Sequence, residues 1–136
     1  MKRAGRPDVT VGADCEDIER WRRMLPDLRN RTAKKLFTDQ EHRYCRQFHD
    51  PAPHYAARWC AKEAVLKALA PHISVDLRWV EVLRDVSGRP AVGWRGPDRA
   101  ALRKFKVDLS LAHSRKAAMA VAIAWRPKTD GKESKR

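Results

Sequence analysis

The sequence has no long apolar run and few cysteines, and it is poor in acidic residues. No stretch approaches the ~20 apolar residues that a membrane-crossing helix needs. The basic N-terminal residues are not followed by the apolar segment of a signal peptide. Three cysteines cannot all pair within one chain, none forms a C-x-x-C motif, and the five histidines are too scattered for a zinc site. We therefore expect an unexported protein of the reducing cytoplasm, with no membrane segment and no structural zinc.

Positive charge is in clear excess. Thirty Lys and Arg oppose 17 Asp and Glu in 136 residues, which gives a formal net charge of +13. The two ends of the chain explain little of it, whereas residues 20–35 carry seven Lys and Arg against one Asp. Such a segment is typical of a solvated helix face, of a surface for an acidic protein, or of a surface for nucleic acid. Composition alone leaves these three interpretations open.

The length and a hydrophobic content of 43% are sufficient for one compact core. We expect a single domain over residues 9–126, preceded by a basic extension at 1–8. The polar and charged composition of residues 127–136 predicts a disordered tail.

Three segments have helical signatures. Residues 16–25 place apolar side chains at helical spacing, with acidic residues early and arginines late. Thr38 and Glu41 have the spacing of a capping box, which predicts a short helix ending near Phe48. Residues 55–69 are apolar around most of the helical circumference and include a narrow alanine stripe, which predicts a central helix approached closely by another element.

Strand patterns occupy both ends of the domain. An alternating stretch begins at Val9, and we expect Asp14 to lie at its exit. In the last predicted strand, alternate residues from Ala118 to Ala124 are all alanine, a face suited to close helix packing. Further strands are predicted at residues 77–84, 91–94, 107–113 and 119–125, with a short helix at 97–105. The hairpin pattern favours an α+β fold, with a mainly antiparallel sheet packed against a long central helix.

Two charged residues stand inside the apolar central helix, where burying an unpaired charge is costly. Glu63 and Lys67 are four residues apart, so one interpretation is an intrahelical salt bridge. The other is that Glu63 binds a hard cation while Lys62 and Lys67 contact phosphate. That second interpretation needs a carboxylate from elsewhere in the chain, and Asp14 is the candidate.

Two further features are open to an ordinary interpretation. His113 falls on the predicted inward face of its strand, where a histidine usually belongs to the core. At the strand end and beside Ser114, it is also placed to reach a phosphate or a base. Residues 87–90 have the composition of an ordinary turn.

Four motifs resemble, in order, those of the holo-acyl-carrier-protein synthase group of 4'-phosphopantetheinyl transferases. The sequence V-G-A-D ending at Asp14 is similar to the first part of the family signature, and W-C-A-K-E-A-V-L-K at 59–67 is similar to the second. The triplet G-R-P at 88–90 resembles a family turn, and L-S-L-A-H-S at 109–114 resembles a family strand. The matches extend from about residue 11 to residue 125, nearly the whole predicted domain.

The resemblance implies transfer of phosphopantetheine from coenzyme A to a serine of an apo acyl carrier protein, with release of 3',5'-ADP. It implies that Asp14 and Glu63 hold Mg²⁺ on the pyrophosphate, which agrees with the usual oxygen ligands of that ion. It further implies that Lys62 contacts the phosphates and stabilises the departing group. The base that activates the serine stays open between Glu63 and a metal-bound water.

The resemblance also assigns positions to coenzyme A. The family positions lining its site correspond to Lys62, Lys67, Gly88, Arg89, Pro90, His113 and Ser114. Family members of this length typically form trimers with the active site shared across an interface, so we expect a homotrimer.

The same resemblance implies a partner for the basic segment, because members of the family bind their acidic helical carrier proteins on the first helix. The corresponding residues here are Arg20, Arg22, Arg23, Met24 and Arg29. An acidic carrier accounts for the charge without nucleic acid.

The sequence departs from the family pattern at three places: Ala13, Ala70–Pro71 and Ala112. None of these changes removes an implied metal ligand. Two alternatives to an active transferase remain, a family member that binds carrier or coenzyme A without turnover and a basic nucleic-acid-binding domain. Whether the carrier serves fatty-acid, polyketide or peptide synthesis stays open.

Overall fold

A computed structural model describes residues 8–29 and 34–128, without the side chains of residues 28 and 29. The strands are β1 (Val9–Asp17), β2 (Val80–Arg84), β3 (Pro90–Trp94), β4 (Lys106–His113) and β5 (Ala117–Trp125). The α-helices are α1 (Ile18–Met24), α2 (Asp39–Arg46), α3 (Ala52–Leu69) and α4 (Arg99–Leu102), and short 3-10 helices cover Leu25–Arg29 and Leu77–Trp79. Nearly all of the expected N-terminal extension, 1–8, and most of the expected disordered tail, 127–136, lie outside the described residues.

Five strands form two antiparallel units. In the larger one, β5 lies between β1 and β4, so that β1 and β4 are the edge strands. The smaller one is the hairpin of β2 and β3. The predicted α+β class with a mainly antiparallel sheet around a long helix is confirmed.

Helix α3 packs on one face of the larger sheet. The alternate alanines of β5, from Ala118 to Ala124, are all buried on that face. On β1, a Cβ added at Gly12 would lie 2.0 Å from the carbonyl oxygen of Ala64 in α3, so only glycine fits there. The predicted close approach of helix and sheet is confirmed, and it brings β1 directly onto α3.

The local helix signals are also confirmed. The Thr38 hydroxyl accepts a hydrogen bond from the Glu41 amide while the Glu41 carboxylate accepts one from the Thr38 amide, which is a complete capping box. Helix α3 starts at Ala52, three residues before the predicted start. Among the helices of the described residues, none combines the length and apolar composition needed to cross a bilayer.

Two sequence expectations are wrong. Strand β1 continues to Asp17 because it pairs along all of β5, so Asp14 lies inside the strand rather than at its exit. His113 is exposed rather than in the core. Burial along β4 falls from Leu109, which is buried, through the half-buried Leu111 to His113 at the end of the strand.

The opposite face of the larger sheet is apolar and open. Val11 on β1 is 66% exposed and Met119 on β5 is 47% exposed, and Val9 and Ile123 are exposed beside them. Large apolar side chains clustered in this way on a surface mark an interaction face.

Candidate active site

Asp14 lies on the face of β1 that meets α3. Its side chain is 16% exposed, and its Oδ1 is 3.2 Å from the Lys67 ammonium, which also donates a 2.9 Å hydrogen bond to the carbonyl of Ala13. The other oxygen, Oδ2, is buried and has no hydrogen-bond partner among the described residues. Leaving a buried carboxylate oxygen without a partner is costly, so this atom is suited to a ligand.

Glu63 is the second carboxylate of this site and projects, half-buried, from the same side of α3 as Lys67. Burial raises the pKa of Glu63, the negative charge of Asp14 raises it further, and the charge of Lys67 lowers it. Lys67 forms its salt bridge with Asp14, and no Glu63–Lys67 pair is found within 4.0 Å in the described residues. The simple intrahelical salt bridge is therefore not what this structure shows.

The two carboxylates can bind a hard cation together with ligands from outside the chain. In the described part of the chain, no group of three or more His, Cys, Asp or Glu side chains is placed to hold a metal alone. Mg²⁺ is usually held by one or two carboxylates that are completed by phosphate oxygens and waters. The partnerless oxygen of Asp14 and the neighbouring Glu63 carboxylate fit that pattern.

Lys62 is not at this site, contrary to the expectation from the sequence. Its side chain is fully buried and its Nζ is 2.6 Å from Oε1 of Glu41, itself fully buried. The same ammonium donates a 3.0 Å hydrogen bond to the carbonyl of Leu36. Burial lowers the pKa of Lys62, while Glu41 opposes that shift. An ammonium enclosed in this way cannot reach a phosphate, so the expected contact of Lys62 with coenzyme A is wrong.

A basic cleft of 330 Å³ lies between the β2–β3 hairpin and the β4 edge of the sheet. Arg58, Arg84 and Arg89 line it, together with Pro90 and Leu109. Arg89 and Pro90 were expected at a coenzyme A site, whereas Arg58 and Arg84 were not. The sequence contained a signal for Arg58, because it is a fourth charged residue inside the apolar helix α3.

The cleft arginines are organised by Tyr44. The Arg58 guanidinium stacks 3.6 Å from the centre of the Tyr44 ring, and that of Arg84 lies 4.8 Å from it. Arg58 is buried, and its Nε has no hydrogen-bond partner within the described structure. A buried donor without a partner, aimed at a basic cleft, is suited to an anion.

The turn before β3 fixes the position of Arg89. The Asp85 carboxylate accepts hydrogen bonds from the backbone amides of Ser87 and Arg89, at 2.8 and 3.0 Å. Gly88 has a φ of 84°, a conformation that favours glycine. Gly88 itself does not line the cleft, and its role here is the turn.

His113 and Ser114 also fall outside the cleft lining. The His113 ring lies 6.0 Å from that of His54, which stacks on Phe48. The Ser114 hydroxyl accepts hydrogen bonds from the backbone of the β4–β5 turn. In a single chain, these two residues are not brought together with Arg89.

Helix α1 carries the arginines that were expected to dock a carrier protein. Arg22 forms salt bridges with Glu19 and with Asp50, the latter at 2.7 Å. Arg20 lies 3.9 Å from Glu16. The set of expected docking residues also includes Arg23, which is exposed, Met24, which is half-buried, and Arg29, whose side chain lies outside the described residues.

The carboxylate pair and the basic cleft lie at different edges of the same sheet. Asp14 belongs to β1, and the cleft is built on β4, with β5 between these strands. Val121 and Ile123 line the cleft and also belong to the exposed apolar face of the sheet. A molecule covering that face would therefore also cover one side of the cleft.

Comparison with known protein families gives one consistent result. A family model described as the 4'-phosphopantetheinyl transferase superfamily matches residues 10–123. The holo-[acyl-carrier-protein] synthase of Chlamydia caviae is 40% identical over 117 residues, which cover 83% of this chain and 93% of that protein. The protein of the same name from Syntrophus aciditrophicus is 39% identical over 118 residues, with 83% and 92% covered.

Solved structures agree with the sequence relatives. The acyl carrier protein synthase of Mycobacterium tuberculosis superposes with a TM-score of 0.70 at 33% identity, covering 87% of this chain and 97% of its own. An ACPS–CoA complex from Chronobacterium ammoniagenes superposes with a TM-score of 0.74 at 28% identity, covering 88% and 98%. Asp14, Glu63 and the cleft arginines all lie within the range that the family model matches.

Proposed function

This chain belongs to the 4'-phosphopantetheinyl transferase superfamily, and we propose that it transfers 4'-phosphopantetheine from coenzyme A to a serine of an apo acyl carrier protein. The transferase domain is assigned to residues 9–126. One observation carries the proposal: the signature residue Asp14, which Lys67 of α3 contacts, has a buried carboxylate oxygen without a partner in the described structure, and Glu63 lies one helical turn before Lys67 on the same side of α3.

Asp14 and Glu63 would hold Mg²⁺, and the remaining ligands would be substrate oxygens and water. When bound, the ion supplies positive charge that offsets the charge of the pyrophosphate. Lys67 keeps Oδ1 of Asp14 in place, because it donates to that carboxylate and to the Ala13 carbonyl at once. Of the two signature lysines, Lys67 is the one that would contact a phosphate, because its ammonium is half-exposed.

The basic cleft is assigned to the nucleotide part of coenzyme A. Arg58, Arg84 and Arg89 provide guanidinium donors in the geometry that phosphate accepts. The apolar wall formed by Pro90 and Leu109 is suited to the adenine. The solved ACPS–CoA complex of a relative supports coenzyme A as a ligand of this chain.

The transfer step balances with these groups. The serine oxygen forms a bond to the β-phosphorus of coenzyme A, and the bond from that phosphorus to the oxygen bridging the α-phosphate breaks. That oxygen leaves with 3',5'-ADP, and the serine proton passes to Glu63.

The complete site is assigned to a homotrimer in which one chain gives the carboxylates and its neighbour gives the cleft. Two observations support this assembly: the two halves lie at different edges of one sheet, and the sheet face beside the cleft is apolar and exposed. A closed cyclic assembly of identical chains buries such a face on every subunit. The occupant of the face is thus a second copy of this chain.

Docking of the carrier protein is assigned to helix α1, which carries Arg20, Arg22, Arg23 and Met24 and is followed by Arg29. Acidic carriers are attracted by such a surface. Because coenzyme A and carrier proteins are cytoplasmic molecules, the reaction is placed in the cytoplasm.

The proposal is tested by incubating the protein with an apo acyl carrier protein, coenzyme A and Mg²⁺, and then measuring the intact mass of the carrier. The expected result is a gain of one phosphopantetheine group that requires Mg²⁺. A carrier that binds but gains no mass would mean an inactive family member. Tight binding of duplex DNA without affinity for any acidic carrier would favour the nucleic-acid alternative.

A further inference from the structure

Two further basic cavities adjoin the basic cleft, and neighbouring cavities share lining residues. A cavity of 440 Å³ shares Arg58 and Arg84 with the cleft, and a third cavity of 640 Å³ shares Gln40 and Arg43 with the second. We call the second and third cavities together the basic trough. Its outer end is lined by Lys34 and Lys35.

The trough carries positive charge that the chain does not neutralise. Asp39 is the one acidic residue among its described lining residues. Five of the lining cations form no salt bridge within the described residues. They are Lys34, Lys35, Arg43, Arg58 and Arg84. Two further arginines at the outer end are paired with Asp76 and Glu81.

Helix α1 differs from the trough in this respect. Arg22 is held between Glu19 and Asp50, and the Arg22 hydrogen bond lowers the pKa of Asp50. Arg20 faces Glu16. The charges of Arg20 and Arg22 are therefore partly offset within the chain, so the attraction of these two arginines for an acidic partner is reduced.

The outer end of the trough adjoins helix α1. Trp21 of α1 packs edge-on against Phe37, with 5.8 Å between the ring centres, and Phe37 lines the outer end of the trough. The other end of the trough is Arg58 and Arg84, which belong to the cleft. A carrier that rests on α1 and brings its serine towards coenzyme A therefore has the trough beside it.

The exposed side of α2 lines the trough for about two helical turns. Gln40, Arg43 and Gln47 line the second cavity and follow one another at helical spacing along ~10 Å of α2. Among the described lining residues, the trough has no free aromatic ring on which a nucleobase could stack. The guanidiniums of Arg58 and Arg84 lie against the Tyr44 ring, and Phe37 is buried.

We propose that the basic trough is a second docking surface for the acidic carrier protein, where Lys34, Lys35 and Arg43 receive carboxylates of a carrier helix. This inference rests on the proposed function. It makes the trough, more than the paired arginines of α1, the source of the electrostatic attraction between enzyme and carrier.

The test compares the double variant Lys35→Glu/Arg43→Glu with the control Arg103→Glu/Lys104→Glu. The control carries the same change of charge on exposed residues outside the trough, the cleft and α1. The probe is a fluorescently labelled apo fatty-acid acyl carrier protein. Its Kd is measured by anisotropy without coenzyme A, and its KM is measured by transfer. Folding is checked by circular dichroism and by the KM for coenzyme A.

The trough variant should raise the carrier Kd and KM about tenfold or more relative to the control, with the KM for coenzyme A unchanged. The milder variant Lys35→Gln/Arg43→Gln should have carrier Kd and KM values between those of the trough variant and the control. Equal carrier affinities for the trough variant and the control, in an enzyme that transfers normally, would overturn the docking surface and leave the proposed function standing. If the parent protein neither binds nor modifies the carrier but binds duplex DNA, and the trough variant loses that DNA binding, both the docking surface and the proposed function would be overturned.

Discussion

The ammonium of Lys67 lies 3.2 Å from Oδ1 of Asp14, and the second oxygen of that carboxylate is buried without a partner in the described structure. The lysine thus orients Asp14 through one oxygen and leaves the other available. Glu63 projects from the same side of helix α3 as Lys67, one turn before it, and its pKa is raised by burial and by the charge of Asp14. We propose that Asp14 and Glu63 would hold a divalent cation, which would supply positive charge to offset that of the substrate.

The first prediction concerns this carboxylate pair. Asp14→Asn or Glu63→Gln keeps the size of the side chain but removes a charged oxygen ligand, so transfer should fall by about 100-fold or more. The measurement is kcat/KM at several Mg²⁺ concentrations, with circular dichroism for the fold. Asp98→Asn, an exposed residue whose side chain makes no capping hydrogen bond, is the control and should be unaffected. Normal transfer by a folded Asp14→Asn protein would contradict the assignment.

The second prediction separates Lys62 from catalysis. Lys62→Met leaves the buried Glu41 carboxylate unpaired, and breaking such a pair from one side costs about 3–5 kcal/mol of unfolding free energy. The double variant Lys62→Met/Glu41→Gln should recover part of that loss, because a neutral amide replaces the stranded charge.

Urea unfolding measures both Lys62 variants. A Lys62→Met protein with the stability of the parent and a large loss of kcat would instead restore Lys62 to the phosphate site.

The third prediction concerns the approach of β1 to α3. A methyl group at Gly12 would lie 2.0 Å from the Ala64 carbonyl and 2.6 Å from the Ala68 amide, both of them backbone atoms. Gly12→Ala should therefore displace β1, lower stability by several kcal/mol (about 3 or more) and move Asp14 from its place. Gly93→Ala is the matched control, since its nearest neighbour is a side-chain methyl of Leu83 that can move aside. Equal unfolding midpoints for the two variants would refute the packing argument.

The sequence was sufficient for the elements whose signals are local. The capping box at Thr38 and Glu41 and the alanine alternation of β5 each gave the correct element, because caps and periodicity depend on neighbouring residues. Asp14 and Glu63 were indicated first by the charges inside the central helix and then by the family resemblance, and the structure adds the Lys67–Asp14 contact between α3 and β1. Lys62 was misplaced, because its partner Glu41 lies 21 positions away in another helix and no local pattern indicates the pair.

The basic cleft was only partly predictable for a related reason. Arg89 follows a recognisable turn motif, whereas Arg84 becomes a cleft residue only when the hairpin packs beside β4. The core interpretation of His113 is wrong because strand alternation does not show that burial along β4 falls towards the end of the strand.

The fourth prediction is a dependence of stability on pH. Burial lowers the pKa of His54 below its usual 6.5, and the charges of His113 and Arg58 act in the same direction. The unfolded chain then binds a proton more readily than the folded one. Hence the free energy of unfolding should fall as the pH drops through about 6.5, and its full value is present above that pH.

His54→Phe keeps an aromatic ring against Phe48 and removes the titration. Urea unfolding at about pH 7.5 and about pH 5.5 should show a smaller loss of stability for the variant than for the parent. Equal losses in the two proteins would show that His54 is not the group responsible.

The central claim is that one active site takes its carboxylates from one chain and its nucleotide cleft from another. The direct measurement is transfer by a mixture of two inactive variants, Asp14→Asn and Arg84→Ala/Arg89→Ala, after the subunits have been exchanged. In a randomly mixed trimer, about a quarter of the sites combine an intact half from each variant, so about a quarter of the parent activity should return. If the mixture stays as inactive as its components after proven subunit exchange, each site is built within one chain and the shared-site account is wrong.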